Sequence, residues 1–290
     1  MSTTSTITTA ANIATATNTT AATTATATDV DLIEKLHEIP SFSDKYAQRQ
    51  WAKEHMAGAF RIFAKLGYND GAGGHISLRD PVKPDCFWIN PYAVHFGLIK
   101  ASDLIMVNEH GHPLTPTKHK VNKAGFMIHA ALHKARPDVN AACHTHSPYG
   151  RAWSAFGKPI EMLNQDGCFF YNDLAVYEGF GGVVHAMEEG ENIANALGPL
   201  KKNVILQNHG ILTCGGTVGE AVAFFIALER ACQAQLLAEA AAANGVQKKY
   251  IGDKEAAYTK EQSGTPAVLY MQFKPEYDMI LKESGGDFLD

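Results

Sequence analysis

Residues 129–147 read HAALHKARPDVNAACHTHS. The stretch changes its period in the middle. Up to Ala135 the apolar positions of residues 123–135 recur at helical spacing, and Asn122 stands where a capping residue belongs. Arg136-Pro137 ends that helix, because the residue before a proline is pushed out of the helical region. After the Pro-Asp turn, VNAACHTHS is short, small and apolar, which predicts a strand. Helix, turn and strand in that order, with mixed elements on either side, make the chain α/β. Residues two apart on a strand share a face, so His144 and His146 project together while Cys143 and Thr145 point away. The pair is either half of a divalent-metal site or two partly exposed histidines at a strand end.

Working outward, residues 46–66 carry a helical apolar pattern, and Gly67 follows as its stop. The glycine-dense YNDGAGGHISLRDP (68–81) runs into a short alternating segment. CFWINPYAVHF (86–96) and DLIMVNEHG (103–111) read as strand pieces between turns, the second closed at Gly111. A short helix over 188–198 stops at Pro199, and NVILQNHG (203–210) follows as a strand that brings His209 to its end. Thr217 to Glu220 fits a capping box opening a long apolar helix to about Ala243. Its stripe of Phe224, Phe225, Leu228, Leu236 and Leu237 is core or subunit contact. The closing segment from Tyr250 is expected to wrap the core or reach a neighbour, and no internal repeat is visible.

Composition narrows the function classes. Residues 1–28 of the 290 are nearly all Thr, Ala, Ser and Asn, too poor in bulky side chains to repay ordering, and are expected to be a disordered tail. The first basic residue is Lys35 and no signal-like apolar core precedes it, which argues against a targeting peptide. Residues 29–290 are expected to form the folded domain. The hydrophobic content of the whole chain, 46%, marks it as globular, and the lack of a run of about 18 apolar residues argues against a membrane span. A net charge of −5 without a basic stripe argues against nucleic acid. Five scattered cysteines, odd in number and never in a CxxC pair, suit a reducing compartment, so the expected location is cytoplasmic.

His209 changes the standing of the His144–His146 pair. Two strand-end positions supplying three imidazoles would make a facial set with open coordination positions, as catalytic metals need.

HAALHKARPDVNAACHTHS, followed some sixty residues on by QNHGILTCGGTVGEAV, resembles the class II aldolase/adducin family. The glycine loop GGHISLRDP, the turn at Asn90-Pro91, the turn at 136–138 and the NHG strand end carry the resemblance across about residues 45–240. It implies an α/β/α layered single domain with a central, mainly antiparallel sheet. It also implies a homotetramer acting on a small molecule, with His144, His146 and His209 holding a divalent ion. Zinc is expected first, with manganese or iron as alternatives.

The sequence departs from the aldolases of that family at one telling place. Their acid/base glutamate falls at Gly125 here, no Asp or Glu lies between Glu109 and Asp138, and Val121-Asn122 stand where phosphate-binding serines would be. A glycine cannot move a proton, so glutamate-driven aldol chemistry on a sugar phosphate is disfavoured. The loop resembles the adducin-type branch, which holds cytoskeletal heads, metal-dependent decarboxylases of hydroxylated aromatic or pyridine acids, and non-haem iron oxygenases.

By the same resemblance, other residues are expected to work beside the ion. His75, Gln165 and Asp166 are the catalytic candidates, with Asp166 either a replacement acid/base or a turn cap. Gly74, Ser77, Arg79, Asn90, His129 and Tyr177 are the substrate-side candidates, while His133 reads as packing plus a backbone hydrogen bond. The expected activity is a divalent-metal-dependent lyase that cleaves a C–C bond of a hydroxy- or keto-acid, aromatic ones included, by retro-aldol cleavage or decarboxylation. The alternatives are an iron oxygenase performing oxidative decarboxylation and a non-catalytic adducin-like interaction domain.

Overall fold

The computed structural model of the protein describes residues 38–180 and 186–290. The Thr/Ala tail assigned to 1–28 and the first positions of the expected domain, 29–37, lie outside the described residues. Asp44 accepts the Tyr46 N–H and opens α1 (Lys45–Lys65), which ends where Gly67 turns left-handed at φ 74°. Three strands follow: β1 (His75–Arg79), β2 (Cys86–Ile89) and β3 (Ile105–Asn108). Next come α2 (Lys123–Ala135), β4 (Ala141–Thr145) and the short α3 (Pro148–Ser154). The order continues through β5 (Leu174–Tyr177), α4 (Ala186–Leu197), β6 (Asn203–Leu206) and β7 (Gly210–Gly215). It closes with α5 (Val218–Ala242), α6 (Asp253–Ser263) and α7 (Pro266–Ser284).

The strands form one seven-stranded sheet in the order β3-β2-β1-β4-β7-β6-β5, antiparallel except for the β5–β6 pair. Its two faces are covered by different helices, because alternate residues leave each strand on opposite sides. Ile76, Leu78, Ala141, Cys143 and Ile211 pack with Phe60, Phe224, Phe225 and Phe273 from α1, α5 and α7. On the other side Ala142, Val204, Leu206 and Leu212 meet Ile128 and Leu132 of α2 and Ile193 and Leu197 of α4. The result is the α/β/α layering with a mainly antiparallel sheet that the family resemblance implies.

Local chemistry locks the layers in place. Arg49 of α1 donates from Nε (2.7 Å) and Nη2 (2.8 Å) to the fully buried Asp80 carboxylate, which also accepts from Trp88 Nε1 at 2.7 Å. Thr217 Oγ1 accepts the Glu220 N–H to start α5, while the Glu220 side chain reaches Gly216 N, one residue before the expected capping-box partner. The stripe along α5 is core at Phe224, Phe225 and Leu228, but Leu237 is exposed. Against the expectation of no apolar span, α5 is by length and composition long enough to cross a membrane. Most of that window is buried inside the fold, and Glu220 and Glu229 are buried within the helix.

One expectation about an element is corrected. NVILQNHG is not one strand: β6 ends at Leu206, and a turn with Asn208 at φ 60° leads into β7, a strand not anticipated. The closing segment forms two helices, and α7 puts Tyr270, Phe273 and Tyr277 into the core. The five cysteines are free.

Candidate functional site

His75 and His144 face each other directly across the β1–β4 pair, on the side of the sheet covered by α2. His146 follows at the end of β4, and the Asn208 turn delivers His209 from the next strand connection. Asparagine tolerates the left-handed conformation better than most residues, which lets the chain reverse there. The nitrogens of His144, His146 and His209 that could bind an ion all lie within 4.8 Å of one another. Tetrahedral zinc with Zn–N bonds of about 2.0–2.1 Å separates its nitrogens by about 3.3 Å, so the set is of the right size. His209 Nε2 and His146 Nε2 stand 3.1 Å apart.

The donor chemistry also fits a cation. His144 Nδ1–H donates to the Ile211 carbonyl at 2.9 Å, which fixes its tautomer and leaves Nε2 to the cavity. Burial holds His144 well below the ordinary histidine range and lowers His146, and burial with the neighbouring His146 brings His209 down to about 4. Neutral imidazole is the form that binds metal. The buried Nδ1 of His209 has no hydrogen-bond partner among the described residues.

The three imidazoles open into a cavity of about 380 Å³ whose wall includes Gly73, Gly74, His75, Asn122 and Gly125. Gly74 sits at φ 87°, and a Cβ there would meet the His144 carbonyl at 3.2 Å, so this loop needs a glycine to approach the strand. Arg151, on α3, lines the cavity and pairs with Asp70 at 2.8 Å. Phe180 stands over His209 with ring centroids 6.4 Å apart and is 62% exposed. Glu229 fixes the turn after His146: it accepts from Ser147 Oγ (2.6 Å), Tyr149 N (2.7 Å) and Gly150 N (2.6 Å).

The other expected site residues divide. Gly74 and His75 join the three metal candidates on the cavity wall. Ser77 and His129 are fully buried behind that wall, hydrogen-bonded to each other and to neighbouring histidines. Arg79 lies off that wall: it faces a second cavity, and Nη1 and Nη2 donate to the carbonyls of Pro84 and His133, because two residues beyond Ser77 carry it past the site. Gln165 and Asp166 lie off the wall as well. Both are exposed at the start of a 3-10 turn (Asp166–Phe170), and Asp166 lines a separate hollow with Arg230 and Glu276. Asn90 is buried beyond β2, and Tyr177 packs beside the core under α2 and α4, neither of them on the cavity wall.

Several wall residues were missed, Arg151, Phe180 and Glu189 among them. Arg151 and Phe180 sit on segments without a motif, and Glu189 is a buried carboxylate from the first turn of α4. A glutamate on the apolar side of an amphipathic helix was the available signal for the last.

The sequence model of the Class II Aldolase and Adducin N-terminal domain matches residues 54–236, and the chain belongs to this family. A Schizosaccharomyces pombe protein called meiotically up-regulated gene 14 protein is 43% identical over 253 residues, covering 87% of this chain and 98% of that one. Decarboxylase NovR of Streptomyces niveus is 38% identical over 83% of this chain and 88% of its own length. Among solved structures, L-fuculose 1-phosphate aldolase from Glaciozyma antarctica PI12 superposes with a TM-score of 0.80 at 43% identity, over 88% of this chain and 98% of that one.

Proposed function

We propose that the chain is a divalent-metal-dependent lyase that breaks a C–C bond of a hydroxy- or keto-acid, with aromatic acids preferred. The observation that carries this is the convergence of three neutral imidazoles on one cavity, with the tautomer of His144 fixed by Ile211. His144, His146 and His209 would hold the ion, zinc first by the family likeness. Bound there, a divalent ion supplies Lewis acidity that stabilises the negative charge left on a substrate oxygen when the bond breaks.

The chain's own groups do the rest. Arg151 offers a guanidinium to the substrate carboxylate at the mouth of the cavity, and Phe180 offers an aromatic face. His75 presents a ring nitrogen, and Glu189 a buried carboxylate, to the same space. Likeness to a protein named a decarboxylase supports the acid substrate. Glycine at 125, with valine and asparagine at 121 and 122, provides neither carboxylate nor hydroxyl, which weighs against the phosphorylated sugar in the name of the Glaciozyma relative. Homotetramers are part of the proposal, and light scattering reads them directly.

Elemental analysis after dialysis against Zn²⁺, together with a screen of hydroxylated aromatic acids, keto-acids and L-fuculose 1-phosphate, tests the reading. One retained ion per chain and release of CO₂ or an aldehyde from an acid are expected. A chain that keeps its fold and retains no ion would be an adducin-like interaction domain instead. Turnover only with Fe²⁺ and stoichiometric O₂ consumption would make it an oxygenase.

A further inference from the structure

Behind the cavity wall lies a row of polar groups that metal binding does not use. His75 Nδ1 and His129 Nε2 are 2.9 Å apart, His129 Nδ1 and Ser77 Oγ 2.7 Å, and Ser77 Oγ and His133 Nε2 2.8 Å. His133 Nδ1 ends the row 3.0 Å from the Val139 carbonyl. All four side chains are buried. The row exists because β1 and α2 run side by side: residues 75 and 77 share a strand face, and 129 and 133 are one helical turn apart.

The far end sets the direction. A carbonyl oxygen only accepts, so His133 carries its hydrogen on Nδ1 and offers the Nε2 lone pair to the Ser77 hydroxyl. Ser77 therefore donates to His133 and accepts from His129 Nδ1–H. His129 then has its lone pair on Nε2, which accepts from His75 Nδ1–H. All three rings are buried, which disfavours the charged form, and His133 at the far end is pushed down to about 3. What remains at the near end is the Nε2 lone pair of His75. It occupies the space a side chain at position 125 would fill: a Cβ on Gly125 would come within 2.5 Å of Nε2.

We propose that His129, Ser77 and His133 are positioning residues that hold His75 as its Nδ1–H tautomer, so that Nε2 faces the metal cavity as a fixed hydrogen-bond acceptor for a substrate hydroxyl. This deepens the lyase reading and rests on it for the substrate. It selects a substrate that carries a donor beside its metal-binding group, a hydroxy-acid rather than its O-methyl ether.

Nitrogen NMR of the full chain labelled with ¹⁵N-histidine tests the wiring, with or without Zn²⁺. His75 is assigned by the signals lost in His75→Gln. In the unaltered protein His75, His129 and His133 should each show a protonated Nδ1 and an unprotonated Nε2. Ser77→Ala cuts the row without adding bulk, and the tautomer preference of His75 should fall by about tenfold, one hydrogen bond's bias. Ser77→Thr, which keeps the hydroxyl, should restore it. Zn²⁺ content should stay the same in all of these. A hydrogen on Nε2 of His75 in the unaltered protein, or no change in Ser77→Ala, overturns the proposal. Failure of the unaltered protein to retain Zn²⁺, with the tautomers as stated, would instead remove the metal reading and leave the wiring standing.

Discussion

Two groups of histidines sit on the same face of the same sheet and do opposite things with their lone pairs. In the group of His144, His146 and His209, nitrogens converge on one point in the cavity. In the row of His75, His129 and His133, each lone pair is taken up by the next donor, until one is left over at the cavity wall. Lowered basicity is common to both groups, although His146 and His209 are only partly buried and the row is fully so. The difference is where the lone pair goes: His144 gives its ring hydrogen to the Ile211 carbonyl and turns its lone pair to the cavity, whereas His129 and His133 spend theirs on the next donor in the row.

The comparison breaks most severely if a converging histidine is removed. His146→Ala should lower Zn²⁺ affinity by more than the ~10–100-fold typical of changes outside the ligand set, and activity should go with it. Elemental analysis of the purified variant checks this, and full metal content would exclude His146 as a ligand. Glu229→Ala attacks the same group from behind, by releasing the turn that follows His146. Losing a buried carboxylate that accepts three hydrogen bonds should cost about 3 kcal/mol, read from urea midpoints, and should loosen the metal as well.

Acid separates the packed histidines from the rest. His133 is pushed down to about 3, and His55, wedged against Tyr277 and bonded to the Trp51 carbonyl, to about 4, in both cases mainly by burial. Below pH 6.5 the unfolded chain takes up protons that these folded-state rings refuse, so stability is full above that pH and declines beneath it. Each ring removes about 1.4 kcal/mol per pH unit on the way down to its folded value. Urea midpoints at pH 7.5, 6 and 5 in the metal-free protein measure the slope, and His55→Gln should flatten it. The smallest effect is expected at the turn that carries His209. Asn208→Ala places an ordinary residue at φ 60° and should cost about 1 kcal/mol, whereas Asn208→Gly should be near neutral by the same measurement.

Much of this arrangement was legible in the sequence. Asn122 and Ala135 bound α2 where the helical period and Pro137 place them, and the H-x-H spacing on β4 with the NHG turn points to the three convergent imidazoles. The second hairpin strand, β7, was hidden because Asn208 and His209 look like the end of a strand, and only the left-handed Asn208 reveals a reversal. Gln165 and Asp166 were assigned from the family resemblance alone, and a resemblance in position carries no information about which cavity an exposed loop faces. Ser77 and His129 were visible as residues but not as a row, since nothing local states that α2 lies along β1.

Gly125 and His75 also constrain how this site could change over generations. A Cβ at 125 would come 2.4 Å from His75 Nε2, so a glutamate there requires the imidazole, tied to His129, to move aside. The reverse order is open: a smaller residue at 75 first, then a carboxylate at 125. Glutamate at 125 and an imidazole at 75 are thus incompatible in one chain, and a library varying both positions together should recover glutamate at 125 only where position 75 carries a smaller residue.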